Sequence, residues 1–96
     1  MKVEWDDDKA ERNLEKHGVG FDLAVLFDFR SAARRIDDRF DYGETRWIAL
    51  GFIRDRLHAI VYAEKPEGIR VISLRKANER ERRDYERQRP STGPSA

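Results

Sequence analysis

Cysteine is absent from the 96 residues, so disulfides and thiolate metal sites are excluded from the start. Histidine occurs only twice, as His17 and His58, and neither sits in a spaced His/carboxylate cluster that would read as a metal signature. No apolar run approaches the roughly 20 residues that span a bilayer. The N-terminal MKVEWDDDK lacks the apolar middle of a secretory signal. A cytoplasmic chain with no membrane contact is expected. A glycine-rich phosphate cradle followed by Lys and Ser/Thr is missing, and so is a nucleophile elbow. Any chemistry must therefore be metal-independent, cofactor-free and built from Arg, Lys, His, Tyr and Glu.

Charge is what the chain has in quantity. Charged residues make up 41% of it and hydrophobic residues 39%, the profile of one small, strongly solvated domain with thin core layers. Its Trp, Tyr and Phe residues, with runs such as WIALGFI and LHAIVYA, can build that core, so the chain is not disordered in character. The net charge of +1 hides an asymmetry. Acids dominate up to Asp28. From Ile69 onward Arg70, Arg75, Lys76, Arg80, Arg82, Arg83, Arg87 and Arg89 are opposed only by Glu79, Glu81, Asp84 and Glu86. A locally basic end attracts phosphates even when the whole protein is nearly neutral, whereas helical ion pairs on a solvated face are the plainer reading.

Periodicity orders the elements. KVEW reads as a short strand, and Asp6 caps a helix over Asp7 to His17, with Asp7 and Asp8 against the positive end of its dipole and Gly18 as its left-handed stop. The inward stripe of this helix, Ala10, Asn13, Leu14 and His17, is unusually polar; Asn13 is expected to hydrogen-bond backbone and hold the helix in register. A short helix from Phe21 to Phe27 should carry Phe21, Ala24, Val25 and Phe27 toward the core. The period then changes to two: a weak strand over Ala32 to Phe40, then strands over Arg46 to Ile53, Leu57 to Glu64 and Ile69 to Arg75. Their short turns imply an antiparallel meander. Asn78 and Glu81 form a capping box for a last helix to about Gln88. The fold class is α+β, with N-terminal helices on one sheet face. The domain is expected over 1–89, with a disordered Pro/Ser/Gly-rich tail over 90–96.

This inventory suits RNA cleavage by the substrate's own 2′-hydroxyl, which needs a general base, cations for the phosphorane and an acid for the leaving oxygen. Strand alternation assigns Arg70 and Arg75 to opposite faces. Arg75 is favoured because it immediately precedes the cap of the last helix, whose free N–H groups also attract anions. Tyr62 reads as a core or rim aromatic and His58 as a surface residue beside a turn. Read alone, His17 is a packed helix-end histidine; in a site, the negative end of the helix dipole would favour its protonated form.

Three stretches carry a family resemblance. WDDDKAERNLEKHGVGF resembles the W-D-x-x-K-A-x-x-N-x-x-K-H-G-V-x-F opening of the BrnT toxin family. GETRWIALG resembles its G-E-x-R-x-x-x-x-G strand, and IRVISLRKANERERRDYE its closing element. The resemblance covers nearly the whole span from Val3 to Glu86, in order. It implies a RelE-like fold and a ribonuclease toxin of a type II toxin–antitoxin pair that inhibits translation. A BrnA-type antitoxin would cover its site, in a heterotetramer of two toxins bridged by an antitoxin dimer, and operator DNA would be bound only through the antitoxin. Carried over by motif, the catalytic candidates are His17, Glu44, Arg46, Arg75 and Tyr85, with Glu81 and Arg82 following. Arg46 and Arg75 would bind the scissile phosphate. His17 or Glu44 would be the base, and the other, or Tyr85, the acid. Lys76, Arg80 and Arg82 of the basic end are the RNA-binding candidates. The competing reading is a non-enzymatic module that binds a partner or nucleic acid.

Overall fold

The computed structural model describes residues 1–88, and the expected tail over 90–96 lies outside them. Strand β1 (Lys2–Trp5) is followed by helix α1 (Asp7–His17) and a 3-10 helix (Phe21–Leu26). Strands β2 (Ala33–Ile36), β3 (Arg46–Ile53), β4 (Arg56–Lys65) and β5 (Gly68–Lys76) lead to helix α2 (Glu79–Gln88). The strands form one sheet in the order β1-β5-β4-β3-β2. β2 to β5 make the antiparallel meander that their short turns imply, while β1 joins the outer edge of β5 in parallel. Parallel neighbours need a long connection, and everything from α1 to β4 lies between β1 and β5.

The local signals at α1 act as their chemistry dictates. The Asp6 carboxylate accepts from the Lys9 N–H at 3.0 Å, and Gly18, at φ 71°, donates its N–H to the Leu14 carbonyl. Asn13 is buried and uses both ends of its amide. It donates to the carbonyls of Val19 (3.0 Å) and Leu74 (2.7 Å) and accepts from the Leu74 N–H at 3.2 Å. β1 pairs only with Gly68 to Val71, so Asn13 satisfies the stretch of β5 that β1 does not reach. That clamp sets the rotation of α1, and Leu14, expected inward, is left exposed.

The segment after Gly20 coils as a 3-10 helix. Its period of three stacks Phe21, Ala24 and Phe27 on the buried side and turns Val25, expected in the core, to 66% exposure. The Phe27 ring lies directly on Gly51 of β3, where a Cβ would stand 2.6 Å from it. His58 is buried, not at the surface: β4 starts at Arg56, so His58 is already inside the sheet with Nδ1 2.9 Å from the Arg56 carbonyl. β2 is shorter than the expected strand over Ala32 to Phe40. The chain leaves the ladder after Asp37 donates its N–H to the Arg46 carbonyl at 2.8 Å and its carboxylate grips Arg39.

One sheet face is covered by α1 and the 3-10 helix, over a core that includes Phe21, Ile60, Val71 and Leu74. On the other face α2 packs Tyr85 with Leu57 and Ala77, flanked by Leu50 and Phe52. The rest of that face is uncovered, and the charged side chains gather there. No helix among the described residues is long and apolar enough to cross a membrane.

Candidate active site

A β-bulge decides which side chains reach the open face. Tyr62 of β4 pairs with Val71 of β5, but its neighbour Val61 pairs with Ser73, so Ile72 is an extra residue. An extra residue reverses the alternation beyond it. Ile69, Val71 and Leu74 are therefore all core residues, and Arg70, Ser73 and Arg75 share the open face. The expectation that Arg70 and Arg75 face opposite ways is overturned by this single residue.

The open face holds a cleft of about 320 Å³ lined by Arg35, Arg39, Arg46 and Arg75, with Asp37, Glu81 and Ser73 among them. Its floor is small and apolar at Ala59 and Val61. Two clusters of opposite charge flank it. At one, Arg75 reaches Glu81 through a fork of 2.8 and 2.7 Å, while Glu81 accepts from the Asn78 N–H at 3.0 Å and Asn78 from the Glu81 N–H at 2.8 Å. The capping box of α2 thus holds a cleft arginine as well. The hydrogen bond from Arg75, opposed by burial, keeps the Glu81 carboxyl below the usual range.

At the other cluster, Glu44 accepts from Arg46 Nε at 3.0 Å and from Arg70 at 2.6 Å, with Lys65 Nζ at 3.5 Å. Burial pushes the Glu44 carboxyl up, but the hydrogen bond from Arg46 and the charge of Arg70 outweigh it and leave the carboxyl lowered. The Arg46 guanidinium also lies 4.0 Å from the centre of the Tyr42 ring. Asp37, 3% exposed, is forked by Arg39 at 2.7 and 2.9 Å and accepts from the Tyr42 hydroxyl at 3.2 Å. These bonds, the Arg39 pair first, hold its carboxyl at about 2.

Of the sequence candidates, Arg46 and Arg75 meet in the cleft, and Glu44 stands behind Arg46. His17 does not line the cleft. It is half-buried at the end of α1, where burial, then the charges of Lys16 and Arg75, lower its pKa. The shift runs opposite to the preference for the protonated form expected from the helix end. Tyr85 is not brought to the cleft either: it is buried under α2, 5.6 Å from the Phe52 ring, with its hydroxyl donating to the Ser31 carbonyl at 2.9 Å. Lys76 is exposed at the end of β5, and Arg80 borders a neighbouring hollow with Arg34 and Arg35. Arg82 is exposed and tied to Glu79 and Glu86 along its own helix.

Arg35, Arg39 and Asp37 were missed by sequence reasoning. The adjacent Arg34 and Arg35 look alike in sequence, yet Arg34 turns to the covered side, 4.2 Å over the Trp47 ring and 3.0 Å from the Tyr62 hydroxyl. Only the pairing of Arg35 with Ile48 puts Arg35 on the cleft side.

The family described as "Ribonuclease toxin, BrnT, of type II toxin-antitoxin system" matches residues 5–81. Among solved structures, the ribonuclease toxin BrnT of Brucella abortus matches with a TM-score of 0.63 at 26% identity, over 82% of this chain and 99% of that one. Comparison with curated proteins gives no match. With four fifths of its length inside the family match, the chain belongs to the BrnT family of ribonuclease toxins of type II toxin–antitoxin systems.

Proposed function

We propose that the chain is a metal-independent endoribonuclease that inhibits translation by cutting RNA in the cleft on its open sheet face. The observation that carries this reading is the meeting of Arg46 and Arg75, with Arg35 and Arg39, over one small-residue floor. Four guanidinium groups in one concave site match a phosphodiester and its phosphorane, which gains charge on its equatorial oxygens. They would do the work that a divalent cation does elsewhere, and both cleft carboxylates are already engaged by arginines.

Glu81 is the base in this reading. Paired to Arg75 it is a weak one, but a phosphate that takes over the Arg75 fork releases the carboxylate beside the substrate and lets its pKa rise. Glu81 then accepts the 2′-hydroxyl proton, the 2′-oxygen bonds to phosphorus, and the phosphorus–5′-oxygen bond breaks. The 5′-oxygen takes its proton from solvent, and the products end in a 2′,3′-cyclic phosphate and a 5′-hydroxyl. Glu44, held by three cations, orients Arg46 and takes no proton. A BrnA-type antitoxin would cover the cleft, supply the contact to operator DNA, and bridge two toxins. A RelE-like domain over 1–89 acting in the cytoplasm belongs to the same proposal.

The test is incubation of the purified chain with RNA and a chelator. Fragments with cyclic-phosphate ends are expected, with their loss in Arg75→Ala at an unchanged fold by circular dichroism. Uncut RNA, or a fully active Arg75→Ala chain, would overturn the reading.

A further inference from the structure

The loop between β2 and β3 presents Phe40 at 69% exposure, the most exposed aromatic side chain among the large hydrophobic residues of the described chain. An exposed ring is unremarkable by itself, so its setting decides whether it matters. That setting is rigid. Phe40 stands edge-to-face with Tyr42 at 5.9 Å, and Tyr42 lies under the Arg46 guanidinium at 4.0 Å while donating to the buried Asp37. Arg39, the preceding residue, is forked onto the same carboxylate, and the Asp41 carboxylate accepts from the Gly43 N–H at 3.1 Å, where Gly43 takes the left-handed φ of 70°. Four side chains and a turn thus fix the base of a loop whose tip is a bare aromatic ring.

The stack Phe40–Tyr42–Arg46 runs from that tip into the cleft. We infer that Phe40 is a stacking platform for a nucleobase of single-stranded RNA, one that flanks the phosphate held by Arg46 and Arg75. This inference rests on the cleavage reading above and adds a base-binding position to it. Single-stranded RNA is recognised by splaying bases onto aromatic faces while arginines track the backbone, and here Tyr42 links the ring to Arg46. Asp38 and Asp41, which flank Phe40 along the loop, disfavour a phosphate there more than an uncharged base, which suits backbone over the arginines and base over the ring. A duplex could not present such a base, so single strands or loops are the substrate class.

The experiment measures binding of an RNA oligonucleotide carrying a 2′-O-methyl block at the cut site, alongside cleavage of the unblocked oligonucleotide. Stacking contributes about 1–3 kcal/mol per base, so Phe40→Ala should weaken binding roughly 5- to 150-fold and raise KM more than it lowers kcat. Phe40→Tyr should bind as the parent chain does. An abasic site at the stacked position should weaken the parent by the same factor and leave Phe40→Ala unaffected. Parent-like binding and KM in Phe40→Ala, with Arg75→Ala inactive, would overturn the platform and leave the cleavage site standing. An active Arg75→Ala chain would overturn the site itself. Loss of antitoxin binding in Phe40→Ala with RNA binding intact would make the loop a protein-docking tip, and would equally overturn the inference.

Discussion

Arg75 and Glu81 meet through two parallel hydrogen bonds of 2.8 and 2.7 Å, and the same carboxylate closes the N-terminus of α2 onto Asn78. A cleft arginine and a helix cap are therefore one unit. Glu81→Gln keeps the shape but removes the charge, and two outcomes are expected. Cleavage should fall by the roughly 10²–10⁴-fold that a general base contributes, and stability by about 1 kcal/mol, measured by urea unfolding. The pH dependence has a definite sign. Since the folded Glu81 carboxyl lies below its unfolded value of about 4.3, its contribution is present above that value and is lost as pH falls through the lower folded one. Glu81→Gln should flatten that part of the acid limb.

Tyr85 separates packing from chemistry. Its hydroxyl donates to the Ser31 carbonyl under α2, away from the cleft. Tyr85→Phe should lose that one hydrogen bond, about 1 kcal/mol in unfolding, and cut RNA at the parental rate per folded molecule. Tyr85→Ala should cost about 3–5 kcal/mol through the cavity left beside Phe52 and Leu57. A hundredfold loss of rate in the stable Tyr85→Phe chain would restore Tyr85 as the acid.

The elements that announce themselves through local chemistry were legible in the sequence. Asp6 and Gly18 bound α1, Asn78 with Glu81 starts α2, and the period of two marks β3 to β5, all from contacts within a few residues. Asn13 was legible too, as a polar residue on an inward stripe that had to find backbone partners. The site was only half legible because it depends on register. Nothing in IRVISLR says that Ile72 is skipped by β4, yet that one residue moves Arg75 to the side of Arg70. Arg35 and Arg39 were hidden for the same reason: their direction is set by pairing with β3 and by Asp37, not by their neighbours in sequence. The lowered pKa of His17 is largely tertiary too, since burial, its first cause, comes from the fold, although the Lys16 charge beside it is local.

His17 offers a pH test of who takes the proton. Its pKa lies below 6.5, so at pH 7 it is neutral and could serve as a base. Were it the base, cleavage would rise through a pKa under 6.5 and collapse in His17→Gln. With Glu81 as the base, His17→Gln should lose far less than about 10²-fold, and the pH–rate profile should keep its shape. The same substitution should matter for stability in acid. A histidine whose folded pKa is lowered opposes folding once protonated, so the parent should weaken below pH 6.5 by more than His17→Gln does.

Asp37 links the acid stability of the domain to its recognition loop. Its carboxyl is held at about 2 by the Arg39 fork and the Tyr42 hydroxyl. Because that lies below the unfolded value of about 3.9, the contribution is complete above pH 5 and is lost as pH falls toward 2. Asp37→Asn should therefore weaken the fold at pH 7 by about 1.5–3 kcal/mol, the range for hydrogen bonds to a charged group. The difference from the parent should shrink as the pH is lowered. The local consequence is more telling than the global one. With Asp37 neutral, Arg39 and Tyr42 lose their common anchor, and amide exchange should quicken over residues 38–43 while α1 and β5 stay protected. If Phe40 acts as a base platform, Asp37→Asn should then weaken RNA binding less than Phe40→Ala, and combining the two should add little, because one substitution removes the ring and the other only frees it. Fully additive losses would mean that Asp37 meets the RNA directly and does not act by holding the loop.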